Sequence, residues 1–175
     1  VDLCVLLCGL NDFKRLWKGR TAEVFRQDLA EAVAEIREIL GPETLVVLPA
    51  LPMESTRFPE PLRSFAIMLS DAFDREKEAV AAEAEGTLYI AKPEVAWWQR
   101  LNAIFGELLS SDGVHPNEDG YALFGDFLAQ SIADHVLSRP RKNLDVVFST
   151  AVDAVQQRGG CGDGEDEACD AAFLV

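Results

Sequence analysis

Two of the 175 residues are histidines, and one of them, His115, stands three residues after a carboxylate in the run Asp112-Gly113-Val114-His115-Pro116-Asn117. An imidazole that serves as a general base needs an acid partner. The carboxylate takes the Nδ1 proton, fixes the tautomer and stabilises the imidazolium that forms. A loop of this length brings both side chains to one rim. Pro116 stiffens the exit, and Asn117 is suited to cap a following helix. The same spelling also makes a plain surface turn, so the motif gains meaning only from its place in the fold.

The elements that place it can be read along the chain. Residues 1–7 are a short apolar run ended by Cys8-Gly9, the pattern of a buried parallel strand. Thr21 opens a helix with Val24, Phe25, Leu29, Val33, Ile36 and Leu40 at helical spacing, stopped by Gly41-Pro42. Residues 44–48 form a second strand, and the proline-rich residues 50–61 a long loop of the kind that often lines a site. A second amphipathic helix carries Leu62, Phe65, Ala66, Leu69, Phe73 and Val80 and closes at Gly86. Residues 87–91 are a third strand. Trp97, Trp98, Leu101, Ile104 and Phe105 follow at helical spacing, with one Trp of the pair expected to face elsewhere. A last helix runs over residues 118–137. Alternating strands and helices require crossover connections and a parallel sheet, in which function gathers at the carboxyl ends of the strands. Asn11 follows the first strand and His115 the third, so both are expected at the same sheet edge.

Composition bounds the rest. At 49% hydrophobic and 26% charged the chain is globular, and its length suits one domain with a core. A formal net charge of −14 repels phosphate backbones, which excludes nucleic acid as a natural partner. No apolar run is long enough to span a bilayer. Cys4 and Cys8 sit in or beside the first strand, and Cys161 and Cys169 lie in an acidic, Gly-rich stretch. Neither pair has zinc spacing, and the compartment stays open. The reading divides the chain into a domain over residues 1–138 and a flexible acidic tail over 139–175.

With both motifs placed, the chain resembles the SGNH hydrolases, also called the GDSL esterase and lipase family. Gly9-Leu10-Asn11-Asp12 after an apolar strand is similar to that family's third block, and Asp112 to Asn117 followed by Gly120-Tyr121 to its fifth. The likeness spans residues 1–137. It implies a three-layer, flavodoxin-like α/β fold and hydrolysis of a small-molecule ester through a serine acyl-enzyme, without metal or organic cofactor. His115 is then the general base and Asp112 its orienting acid. Asn11 is the oxyanion donor, Asp12 holds its loop and Gly9 is conformational, while Pro116 and Asn117 support the site. His135 has no catalytic role.

The likeness begins at the third block. The family's nucleophile is a Ser in a Gly-Asp-Ser block after the first strand, and nothing here replaces it. Gly125-Asp126-Phe127 has Phe where Ser is needed, and Ser55, Ser110 and Ser111 lack the strand-to-turn setting. The expectation is a later part of such a domain without its first strands, inactive alone, with residues 1–7 as a bare edge prone to self-association. The rival reading is a catalytically inactive SGNH-like binding or interaction module. A metal hydrolase built on Asp112 and His115 ranks third, for want of further ligands.

Overall fold

The structure is a computed structural model and describes residues 1–13 and 15–138. Residues 1–133 form one compact unit. The expected acidic tail, with Cys161 and Cys169, lies outside the described residues.

Among the described residues three parallel strands, β1 (Leu3–Val5), β2 (Leu45–Pro49) and β3 (Thr87–Ile90), lie in the order β1-β2-β3. Leu3 pairs with Leu45, and Val46 with Thr87. The crossovers are α2 (Ala22–Leu40) and α3 (Leu62–Glu83). A four-residue helix α1 (Leu10–Phe13) follows β1, and α4 (Val95–Phe105) and α5 (Glu118–Ser138) follow β3. Thr21 caps α2 by accepting the Val24 N–H at 3.3 Å, and Gly41 ends it.

Side-chain alternation along β2 sets the layers. Val46 and Leu48 pack with Phe25, Leu29 and Val33 of α2 and Phe73 and Val80 of α3. Val47 points the other way, into a cluster with Ile90, Trp98, Leu108, Phe124 and Leu128. The sheet therefore carries α2 and α3 on one face and α4 and α5 on the other, a three-layer α/β arrangement consistent with a flavodoxin-like order.

Three expectations need correction. Residues 1–7 are not a buried strand. Only Leu3–Val5 are paired, and Leu3 and Val5 are each 41% exposed, because the covering helices reach Val47 of β2 but not its register partner Val5. The Trp pair is not split, since Trp97 packs edge-on to Trp98 at 4.7 Å and against Phe127 at 5.5 Å. Leu62 and Phe65 of α3 are exposed, as are Ile104 and Phe105 of α4. The buried stripe of α3 instead runs through Ala66, Ser70, Phe73, Lys77 and Val80, with Asp74 beside it.

Candidate active site

The loop between α4 and α5 is a narrow turn closed by its own backbone. Ser110 N–H donates to the His115 carbonyl at 2.8 Å, and Asn117 N–H to that of Leu108 at 2.9 Å. Leu109 and Pro116 form an isolated antiparallel bridge. Asn117 caps α5 by accepting the Gly120 N–H at 2.9 Å, while its amide donates to the Glu107 carbonyl at 2.6 Å. Gly120 lies so close to the loop that a Cβ there would stand 2.3 Å from the Leu108 carbonyl oxygen. Gly113 has φ +69°, and a Cβ on it would meet Arg57 at 3.1 Å.

This turn converges donors on Asp112. Its Oδ1 accepts from Ser110 Oγ at 2.7 Å and from the N–H groups of Val114 at 2.8 Å and His115 at 3.0 Å. Its Oδ2 lies 2.6 Å from His115 Nδ1. The hydrogen bond with His115, then those from the Val114 and His115 backbones and from Ser110, holds the carboxyl far below the usual carboxylate range. An ionised Asp112 fixes the proton of neutral His115 on Nδ1, which makes Nε2 the basic nitrogen. Both side chains remain about half exposed, 56% for His115 and 50% for Asp112.

The second candidate group is carried by the turn after β1. Gly9 has φ +110°, a left-handed conformation open to glycine. Asp12 N–H returns to the Gly9 carbonyl at 3.1 Å. The Asp12 carboxylate accepts from Arg20 Nε at 2.8 Å, and Arg20 also pairs with Asp28 of α2. Asp12 is thereby tied to the scaffold, while Asn11 beside it stays exposed.

Asn11 and His115 line one cleft of about 420 Å³. Its polar groups are Asn11, Asp12, His115, Ser55 and Thr56, and most of its wall is apolar, from Leu7, Leu10, Leu51, Met53, Tyr121 and Phe124. Gly9 and Pro116 are also in the wall, whereas Asp112 meets the cleft through His115 and Asn117 supports it from the α5 cap. Trp97 and Trp98 belong to the core and do not line it. Residues 50–61 form one side and are tied down rather than loose. Arg57 N–H donates to the Gly113 carbonyl at 2.8 Å, Arg63 donates to the Glu54 carbonyl at 3.0 Å, and Lys92 pairs with both Glu54 and Asp71.

Sequence reasoning did not single out Leu10, Met53, Thr56 or Tyr121 as wall residues. Their signals were indirect: Met53 and Thr56 lie in the 50–61 loop expected to line a site, Leu10 inside the Gly9–Asp12 block, and Tyr121 directly after Gly120 in the motif. Cys8 touches the cleft, but it packs against the α2–α3 core, and burial pushes its thiol up, the wrong direction for a nucleophile. Ser55 Oγ donates to the Pro52 carbonyl at 2.7 Å. Among the described residues no group of three or more His, Cys, Asp or Glu is placed to hold a metal ion, and no helix is long and apolar enough to cross a membrane.

An imidazole–carboxylate pair and an amide donor facing one apolar cleft, at the carboxyl ends of parallel strands, is an arrangement suited to acyl transfer. No curated protein and no solved structure matches the chain. The model of the GDSL-like Lipase/Acylhydrolase family matches residues 1–123. The chain belongs to this family of hydrolases.

Proposed function

We propose that residues 1–138 supply the acid–base and oxyanion groups of a carboxylic ester hydrolase whose nucleophile is a serine outside the described residues, with residues 139–175 a separate acidic tail. The observation that carries this reading is the 2.6 Å contact of Asp112 Oδ2 with His115 Nδ1, on a cleft that Asn11 shares. His115 Nε2 takes the proton as the serine oxygen attacks the ester carbonyl. The amide of Asn11 donates to the oxyanion of the tetrahedral intermediate. Collapse breaks the bond to the leaving alcohol, which receives the proton from His115. Water, deprotonated by the same imidazole, then releases the acid from the acyl-enzyme.

The test is labelling with a fluorophosphonate probe, together with turnover of a short-chain aryl ester. The 175-residue chain is expected to give neither. A form extended at the N-terminus by a strand and a Gly-Asp-Ser block is expected to give both, and His115→Ala in that form to abolish turnover. Stoichiometric labelling of the 175-residue chain, at Ser55 or any other serine, overturns the reading. A catalytically inactive binding module is the second reading. It is favoured by the engagement of the serine hydroxyls near the cleft, Ser55 with Pro52 and Ser110 with Asp112. It gains if the extended form binds ester analogues without turning over.

A further inference from the structure

Behind the cleft floor lies a buried charge that the hydrolytic scheme does not use. Among the described residues, Lys77 is the one fully buried basic side chain, at 0% exposure, and its partner Asp74 is at 4%. Lys77 Nζ donates to the Pro49 carbonyl and to Asp74 Oδ1, both at 2.9 Å. Asp74 accepts the Leu51 N–H at 3.4 Å, and Ser70 Oγ donates to the Leu51 carbonyl at 3.2 Å. Three side chains of α3 thus hold the backbone just where β2 ends. On the other side, a Cβ built on Gly9 would stand 3.7 Å from Lys77 Nζ and 3.5 Å from Leu51. The ammonium therefore sits against the turn that leads to Asn11.

Packing alone does not call for ions here. Apolar side chains of similar volume fill such a space without the desolvation of two charges, and replacing buried pairs in this way is often neutral or stabilising. Elsewhere the α3 stripe is built from Ala66, Phe73 and Val80. The ionic step falls only beside the strand ends.

We propose that Lys77 is a positioning residue that seats the Gly9–Asp12 turn against the end of β2 and presents positive charge to the floor of the cleft. The proposal rests on the reading of Asn11 as oxyanion donor. Cys8, next to Gly9 in the same wall, reports the field. Burial raises its thiol, and of the charges around it Lys77 acts most strongly, lowering the thiol more than Asp12 or Asp74 raises it. At Cys8, then, the pair's positive end outweighs its negative one.

The test uses the 175-residue chain with Cys4, Cys161 and Cys169 replaced by Ser, so that Cys8 is the one thiol. The rate of alkylation by iodoacetamide is followed against pH, and amide exchange at Asp12, whose N–H bonds the Gly9 carbonyl, is read alongside. Lys77→Met is expected to move the alkylation midpoint up by about half a pH unit or more and to speed Asp12 exchange severalfold. Lys77→Arg is expected to stay near the parent on both readouts. A purely packing role speeds Asp12 exchange without raising the midpoint, so the two readouts together separate charge from packing. Should Lys77→Met not fold, Lys77→Met/Asp74→Leu, which leaves no buried charge unpaired, takes its place with the same expectation. An unchanged or lowered midpoint in the folded variant overturns the proposal, as does unchanged Asp12 exchange. If instead Asn11→Ala leaves turnover of the serine-bearing form intact, the oxyanion reading fails while both Lys77 readouts still stand.

Discussion

Asp112 receives four hydrogen bonds in a half-exposed turn, and their effect on its proton is testable. Its folded-state pKa lies below the unfolded value, so it stabilises the fold above about pH 4, the ordinary Asp range, and that contribution is lost as pH falls through the lower folded value. The melting temperature of the chain is therefore expected to fall more steeply between pH 4 and pH 2 than that of Asp112→Asn. Equal slopes would mean that the four bonds do not persist in solution. In a serine-bearing form, Asp112→Asn is also expected to lower kcat/KM by about 10²–10⁴-fold, because an amide no longer fixes the imidazole tautomer. Much of this geometry was legible beforehand. Asp-x-x-His followed by Pro-Asn names an acid, a base and a helix cap within six residues. The 50–61 loop was legible as a wall, but which of its side chains meet Leu10 and Tyr121 was not, because the three come from separate elements and reach the cleft only through tertiary packing.

At the scale of elements, two glycines of α5 separate local propensity from packing. Alanine at mid-helix is ordinarily better than glycine by about 0.5–1 kcal/mol. Gly125 has open space around its missing Cβ, so Gly125→Ala is expected to raise the melting temperature by the few degrees that such a gain gives. Gly120→Ala meets the Leu108 carbonyl at 2.3 Å, and backbone cannot yield as a flexible side chain does. It is expected to destabilise by about 1–3 kcal/mol and to displace the turn that holds His115. Thermal melts of the two variants side by side decide it, and a stabilised Gly120→Ala would refute the close approach. Between α2 and α3, Phe25 and Phe73 meet at 4.8 Å, and Phe73→Ala is expected to cost about 3–5 kcal/mol in urea unfolding. Helical periodicity gave the extents of α2 and α5 to within a residue. On α3 it found Ala66, Phe73 and Val80 but missed Ser70, Asp74 and Lys77 on the same face, because a hydropathy pattern counts Lys and Asp as solvent-facing. Lys77 and Asp74 go inside as a pair, while Leu62 and Phe65 stay out.

At the scale of the molecule, β1 is the exposed margin. Val1, Leu3, Val5 and Leu7 form an alternating apolar row, 72%, 41%, 41% and 55% exposed, beside a strand that has one partner among the described residues. Such a row favours association through its edge and face, and a net charge of −14 slows encounter without pairing backbone groups. The chain is expected to show concentration-dependent self-association by sedimentation, reduced by Leu3→Lys/Val5→Lys. A monodisperse monomer into the high micromolar range would show that this row is not adhesive. The sequence disclosed the apolar character of residues 1–7 and, through the family likeness, an edge without its neighbours; the apolar pattern taken alone read as burial, since a continuous apolar run looks the same whether or not a helix lies over it.

The crossovers also set a timetable. β1 joins β2, and β2 joins β3, between residues about forty positions apart in the chain, with a long helix inside each interval. No strand pair can form as a local hairpin, so each waits for the closure of a large loop. β2 takes part in both closures, and Val46, Val47 and Leu48 are wholly shielded from solvent. Its amides are therefore the place where opening requires the whole unit to come apart. In native-state hydrogen exchange they are expected to report the global unfolding free energy, while the amides of residues 110–115 exchange through small local openings. The residues proposed to do the chemistry would then move on a faster clock than the strand that holds them in place.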